Sequence, residues 1–190
     1  YPQGEHVMFT DGFFPVSFLL KLIKPVVDLS AYSHGILNAV LILSLIFAAL
    51  VLYTLLREIK INEYVAGFFS PALIFFSPII QRIPGHYSLS LAFFIPLLLL
   101  LLIRYYKNPK TKYMVWAGVT VFLCSLAHLY HIAIAGILIS VFVFYMAVFD
   151  RKNTPVKKSV FFFLFTIIVP YALIFILMLF SDHVGDRSTY

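Results

Sequence analysis

The sequence predicts an all-α protein: a polytopic bundle of about six transmembrane helices with one further helix lying in the outer membrane interface. Three observations lead to this prediction. Apolar residues make up 62% of the chain and charged residues 12%, with a mean hydropathy of +0.98, whereas soluble domains have roughly 45–50% apolar residues. Apolar runs of about 20 residues, long enough to cross a bilayer, follow one another from Gly35 to Phe180. Lys and Arg residues gather in some of the short breaks between these runs.

The first 34 residues precede the first membrane-spanning run and form a predicted outer loop. Their apolar stretch, 13–27, is interrupted by two prolines and by Lys21 and Lys24. It is too short and too charged to span, so it is predicted to be a helix in the interface, with its lysines reaching toward lipid head groups. The bundle then covers residues 35–180, and residues 181–190 begin a further outer loop.

The apolar segment 113–149 needs to be divided. As one helix it would be about 55 Å long, far more than one crossing requires even with tilt. A turn near His128 to His131 is therefore predicted to make it a hairpin. The predicted spans are 35–56, 64–80, 87–103, 113–127, 131–149 and 159–180.

The basic loops set the predicted orientation in the cell membrane. One follows the third span and another follows the fifth, and short loops rich in Lys and Arg belong in the cytoplasm. Both must therefore lie on one side, which again requires the hairpin between them. Both termini and all six histidines are then expected on the outer, extracytoplasmic side. The cations of the inner side are Arg57, Lys60, Arg104, Lys107, Lys110, Lys112, Arg151, Lys152, Lys157 and Lys158.

The two ends of the sequence predict that the natural chain is longer. It begins outside at Tyr1 with no preceding span, so another helix is expected before it, and the end at Tyr190 is equally abrupt. The net charge of +6 is interpreted as a consequence of the membrane topology and as a source of attraction to anionic lipid head groups. No nucleic-acid partner is expected. Cys124, the single cysteine, allows no internal disulfide.

The polar chemistry gathers on the predicted outer face, and its residues have plainer interpretations beside functional ones. Asp11 fits a turn at Thr10-Asp11-Gly12, and Arg82 fits an interfacial anchor. His128 and His131, spaced i and i+3, would share a helical face suited to a metal ion, or would hydrogen-bond to head groups or backbone.

Several chemistries are disfavoured by what the sequence lacks. It contains no Gly-x-x-x-x-Gly-Lys-Ser/Thr loop, no His-Glu-x-x-His and no Gly-x-Ser-x-Gly, the motifs of phosphate loops, zinc proteases and common serine hydrolases. Acidic and basic residues occur only near span ends, whereas ion and proton pathways place them within the membrane. ATP-driven transport, these hydrolases and secondary transport therefore lose support.

The stretch GEHVMFTDG, followed by an interfacial helix and short hairpinned spans, resembles the first outer loop of the GT-C superfamily of integral-membrane glycosyltransferases. PGHYS and AHLYH, each before a span, resemble the outer-loop positions where bacterial members place histidine and aromatic residues. The first outer loop of that family carries a catalytic aspartate or glutamate, so the resemblance implies that Asp11 is catalytic. Asp11 has no adjacent acid, unlike the paired motif of some members; no metal ligand is assigned, and a divalent metal ion stays open.

The resemblance implies transfer of a sugar from a polyprenyl-phosphate-linked donor to a hydroxyl of a glycan, lipid or protein on the outer face. Asp11 would accept the hydroxyl proton. Arg82 would hold the phosphate, because a guanidinium can make two parallel hydrogen bonds to it, and His86 would be a further donor. Asp11, Arg82 and His86 are therefore expected to approach one another. The other predicted substrate-binding residues are Glu5, Lys24, His128, His131 and Arg187, with Lys21 as a helper.

Two further classes of function remain open. A non-catalytic subunit that handles or exports lipid-linked saccharides, like a flippase or a polymerase partner, would use the same basic outer rim without needing Asp11. A purely structural multi-spanning subunit would need neither the basic outer rim nor Asp11 for its function. The Asp11 carboxylate discriminates between them: an enzyme that loses it stops turning over but still binds lipid, whereas a carrier is nearly indifferent.

Overall fold

The computed structural model describes residues 13–82, 90–150 and 156–181. Every regular element in those ranges is a helix, which confirms the predicted all-α bundle. A 3₁₀ turn at Ser30–Tyr32 precedes α2, and a π-helical segment at Leu164–Ile168 joins α8 to α9. The α-helices are α1 (Phe14–Ile23), α2 (Ser33–Glu58), α3 (Glu63–Phe75), α4 (Pro78–Arg82), α5 (Phe94–Lys107), α6 (Thr111–Ala127), α7 (Tyr130–Val148), α8 (Val156–Phe163) and α9 (Val169–Ser181).

Within the described ranges, four helical stretches are long and apolar enough to cross a membrane: Ser30–Glu58, Glu63–Gln81, Tyr130–Val148 and Lys157–Phe180. They correspond to the first, second, fifth and sixth predicted spans. The third and fourth correspond to α5, with 14 residues, and α6, with 17, which are about 21 and 26 Å long at 1.5 Å per residue. Both are shorter than a typical hydrocarbon core of about 30 Å. Part of the third predicted span, 87–89, lies outside the described residues.

The helices pack in a chain of neighbours around one main core. α2 contacts α3 and α5, α5 contacts α6, and α6 contacts α7, the π-helical segment and α9. Helix α1 also packs against α6. α8 packs against α7. The largest fully buried side chains include Phe94, Leu98, Val121, Ile139 and Phe162. Most other large apolar side chains point outward, as expected for helices surrounded by lipid.

Contacts between distant residues show which helix ends lie together. Glu58, at the end of α2, binds Arg104 and Lys107, at the end of α5. Tyr106 of α5 lies against Tyr145, near the end of α7, with ring centroids 5.9 Å apart. The basic segments that follow α5 and α7 are therefore at the same end of the bundle, as the charge pattern predicted. We call this the basic end; its described cations are Arg57, Lys60, Arg104, Lys107, Lys110, Lys112, Lys157 and Lys158.

The predicted hairpin is confirmed by the turn between α6 and α7. α6 ends at Ala127, His128 is extended with φ −159° and ψ 132°, and α7 begins at Tyr130. Phe94, at the start of α5, contacts His131 at the start of α7 with ring centroids 4.8 Å apart. We call this opposite end of the bundle the histidine end. Its location outside the cell remains a prediction.

The apolar stretch near the N-terminus forms a helix, as predicted, but a shorter one. α1 ends at Ile23, and a turn follows through Val26, so the predicted helix over 13–27 loses its last residues. The reason is Pro25, which has no N–H to continue the hydrogen-bond ladder. At the other end, Phe13 has the left-handed backbone angle φ 44° and is only 5% exposed. Burial of this ring in the main core therefore fixes the point where α1 begins.

Candidate functional site

An open concavity with a partly polar lining lies between α1 and the start of α2 in the described part of the chain. It is an open groove of about 290 Å³ lined by Ser17, Leu20, Lys21, Lys24, Ser30 and Ser33. The first four recur at helical spacing along α1 and its C-terminal cap, Lys24, so they share one face. The last two come from the 3₁₀ turn and the first residue of α2. The groove therefore depends on α1 folding back beside the start of α2.

The outer surface of α1 next to this groove is apolar. Phe18, Leu19 and Leu22 are each more than half exposed, and Val26 in the following turn is 85% exposed. A helix that carries lysines on one face and exposed apolar groups beside them suits a membrane interface, where the apolar side meets acyl chains and the amines stay near head groups. The groove thus combines a cationic lining with an adjacent lipid-compatible surface.

Asp28 is the nearest described acid to the groove in sequence, and its oxygens are already engaged. Its carboxylate accepts hydrogen bonds from the Ser30 backbone N–H, at 2.9 Å, and from the Ser30 hydroxyl. These two hydrogen bonds, together with attraction to Lys24, lower the pKa of Asp28, so it stays ionised at neutral pH. The Ser30 hydroxyl proton is consequently committed to Asp28, which leaves the Lys21 and Lys24 ammonium groups as the strongest donors in the groove.

The two histidines of the α6–α7 turn hold that turn together. The Nδ1 atom of His131 lies 3.0 Å from the carbonyl oxygen of His128; because a carbonyl only accepts, Nδ1 carries the proton and donates. His131 is 3% exposed and packs edge-on against Phe94. The Nδ1 atom of His128 accepts the backbone N–H of Tyr130, at 3.2 Å, and its ring stacks on the Tyr130 ring.

This geometry supports a structural role for both histidines. His128 satisfies an N–H group in the first turn of α7, which has no other side-chain cap. His131 points into the core instead of sharing a surface with His128. Among the described residues, no group of three or more His, Cys, Asp or Glu side chains is placed to hold a metal ion.

Of the site residues predicted from the sequence, only two of those described lie at the groove. Lys21 and Lys24, predicted as helpers of Arg82, line the groove, whereas His128 and His131 lie at the histidine end. Arg82 is the last residue of α4, and its side chain is not among the described ones. The predicted approach of Asp11, Arg82 and His86 is therefore untested. The predicted residues outside the described ranges are Glu5, Asp11, His86 and Arg187.

Sequence reasoning missed the serines of the groove. Ser17, Lys21 and Lys24 are spaced i, i+4 and i+7, which is a helical signal that could have placed Ser17 with the lysines. Nothing local could have added Ser30 and Ser33, because they reach the groove only through the turn between α1 and α2.

The helices define a class: this is a multi-pass α-helical membrane protein. More particularly, the chain belongs to the family described as Domain of unknown function (DUF6311), which matches residues 1–190. No curated protein and no solved structure matches the chain.

Proposed function

We propose that the chain is part of a membrane glycosyltransferase that takes a sugar from a polyprenyl-phosphate-linked donor and transfers it to an acceptor hydroxyl on the outer face of the cell membrane. The single observation that carries this proposal is the groove between α1 and α2, with Lys21 and Lys24 in its lining. The resemblance of the loop GEHVMFTDG to the GT-C superfamily supplies the reaction.

The groove has the chemistry needed to bind a lipid phosphate. Two ammonium groups give charge-assisted hydrogen bonds to phosphate oxygens, which are stronger than those between neutral groups. The exposed apolar side chains of α1, such as Phe18 and Leu22, would lie among acyl chains. A polyprenyl tail can then remain in the bilayer while its phosphate sits at the level of the lysines.

In this proposal, the catalytic base lies close in sequence to the groove. Asp11, two residues before the buried Phe13, takes the proton from the acceptor hydroxyl as that oxygen attacks the anomeric carbon. The donor C–O bond breaks, and the departing phosphate keeps its electron pair. Cations near that phosphate stabilise the developing charge; Lys24 and Arg82 hold it, with His86 as a further donor. The histidine end and both chain termini face the outside.

The groove is tested by removing its two charges. Lys21→Ala with Lys24→Ala should weaken retention of a polyprenyl phosphate by the purified protein by about a hundredfold or more, since hydrogen bonds to charged groups contribute roughly 1.5–3 kcal/mol each. Lys157→Ala with Lys158→Ala is the matched control, because it removes the same charge from exposed positions at the basic end. Equal weakening in both double variants would mean that the groove is not the phosphate site.

The catalytic step is tested at Asp11. Asp11→Asn keeps the shape and removes the proton acceptor, so turnover should fall by about 10²–10⁴ while donor binding barely changes. Arg82→Ala should instead weaken donor retention. Wild-type sugar transfer by the Asp11→Asn protein would rule out the proposed base.

The groove observation supports one other function to the same degree. A non-catalytic subunit that handles or exports lipid-linked saccharides would hold the phosphate at Lys21 and Lys24 without a carboxylate. Loss of lipid retention in the lysine variant combined with indifference to Asp11→Asn would favour this function over glycosyl transfer.

A further inference from the structure

The basic end of the bundle carries far more positive than negative charge. Its described acids are Glu58, Glu63 and Asp150, set against the Lys and Arg residues that define this end. Glu58 is already committed: its carboxylate lies 2.9 Å from the Lys107 ammonium and 3.2 Å from the Arg104 guanidinium. The excess positive charge therefore lies on the Lys and Arg residues that form no ion pair with these acids.

Lys110 and Lys112 are two such cations, one on each side of Thr111 at the turn between α5 and α6. Both are exposed, and neither makes an ion pair with any residue in the described ranges. The turn itself is well fixed: the Lys110 N–H donates to the Asn108 carbonyl at 2.7 Å, and the Lys110 carbonyl accepts from Tyr113 at 3.0 Å. The two ammonium groups thus extend from one defined piece of backbone.

An aromatic residue lies one turn along the same helix face. Trp116 follows Lys112 by four residues, so both project from the same side of α6, and its side chain is 59% exposed. Tryptophan prefers the boundary between acyl chains and head groups. Lys112 also lies over the Tyr113 ring, 5.1 Å from its centroid. Positive charge and an interfacial aromatic group therefore meet at one edge of the bundle.

We propose that Lys110 and Lys112, together with Trp116, form a binding site for the head group of an anionic phospholipid at the basic end. The two ammonium groups bind the phosphate and any further negative charge, and Trp116 lies beside the glycerol and upper acyl chains. An occupant with both a phosphate and apolar tails fits this surface, because the lysines border directly on exposed apolar positions of α6 such as Val115. A nucleic acid or an acidic protein would cover only the charged part.

The chain contains its own reporter for this site, because Trp116 is its only tryptophan. The purified chain of 190 residues is reconstituted in phosphatidylcholine bilayers that contain increasing amounts of brominated phosphatidylglycerol or brominated phosphatidylcholine, and quenching of tryptophan fluorescence is followed. Since two lysines near a membrane surface each favour anionic lipid, we expect phosphatidylglycerol to be preferred over phosphatidylcholine at Trp116 by about thirtyfold.

Paired variants separate a defined site from diffuse attraction. Lys110→Gln with Lys112→Gln should reduce the preference to about one, whereas Lys110→Arg with Lys112→Arg should retain it. Lys157→Gln with Lys158→Gln removes the same charge elsewhere at the basic end and should leave most of the preference intact. An unselective wild-type protein, or an equal loss in both glutamine double variants, would overturn the proposal.

Discussion

Single side chains account for the way the basic end is held together. Glu58 is separated by 46 residues from Arg104 and by 49 from Lys107, yet its carboxylate contacts both cations. Lys107 also donates a hydrogen bond to the Glu58 backbone carbonyl. These bonds join the ends of α2 and α5, which otherwise meet through apolar contacts, and they fix the two helices in a parallel arrangement.

This junction gives a prediction for stability. Glu58→Gln keeps the side-chain size but loses the charge, so the free energy of unfolding should fall by about 1 kcal/mol, the upper part of the range for partly exposed ion pairs. Denaturation of the purified protein in detergent measures the change. Glu63→Gln is the control, because Glu63 is exposed and forms no ion pair with another described residue; an equal loss there would contradict the assigned role of Glu58.

Among the helices, the irregular join between α8 and α9 shows how a proline shapes an apolar span. In the π-helical segment the Val169 N–H donates a hydrogen bond to the Leu164 carbonyl, five residues earlier. The next residue, Pro170, has no N–H, so it cannot donate the equivalent hydrogen bond to the Phe165 carbonyl. The buried Thr166 hydroxyl donates to the Phe162 carbonyl at 2.7 Å. On the facing helix, a Cβ at Gly118 would lie 3.4 Å from the Phe165 carbonyl oxygen and ring. Gly118 therefore permits this close approach.

The contact predicts a graded response to side-chain size. Gly118→Ala should be nearly neutral, because 3.4 Å is still an acceptable contact, whereas Gly118→Leu should cost about 1–3 kcal/mol in unfolding free energy through overpacking. Thermal or denaturant unfolding measures both. Gly136→Leu provides the comparison: a Cβ there meets nothing within 4 Å, so this variant should be tolerated. Similar destabilisation at both glycines would argue against the proposed close packing.

The molecule as a whole has two chemically different ends, and their assignment to the two sides of the membrane can be tested. Cys124, the single cysteine, is first replaced in a Cys124→Ala background. From the positive-inside rule, Leu129→Cys at the histidine end should react with an impermeant reagent added outside intact cells, and Asn108→Cys at the basic end should not. Labelling of Asn108→Cys with protection of Leu129→Cys would reverse the orientation.

The sequence by itself determined the helical class, the division of segment 113–149 into a hairpin and the gathering of its basic segments at one end. Those features follow from the length of the apolar runs, which decides whether a segment can span a bilayer. They also follow from the local excess of Lys and Arg, which decides on which side a short loop lies. It also placed Lys24 at a polar surface, although without the serines beside it.

Only the tertiary structure decided which residues meet across long separations. The serines of the groove join Lys21 because the chain turns back between α1 and α2. Glu58 meets Arg104, and Gly118 meets Phe165, because neighbouring helices pack in one particular register. His131 is buried in the core. The i, i+3 spacing alone was also compatible with His128 and His131 sharing one exposed face of a helix. A local pattern specifies which faces are apolar, but the packing of several such faces at once specifies the partners.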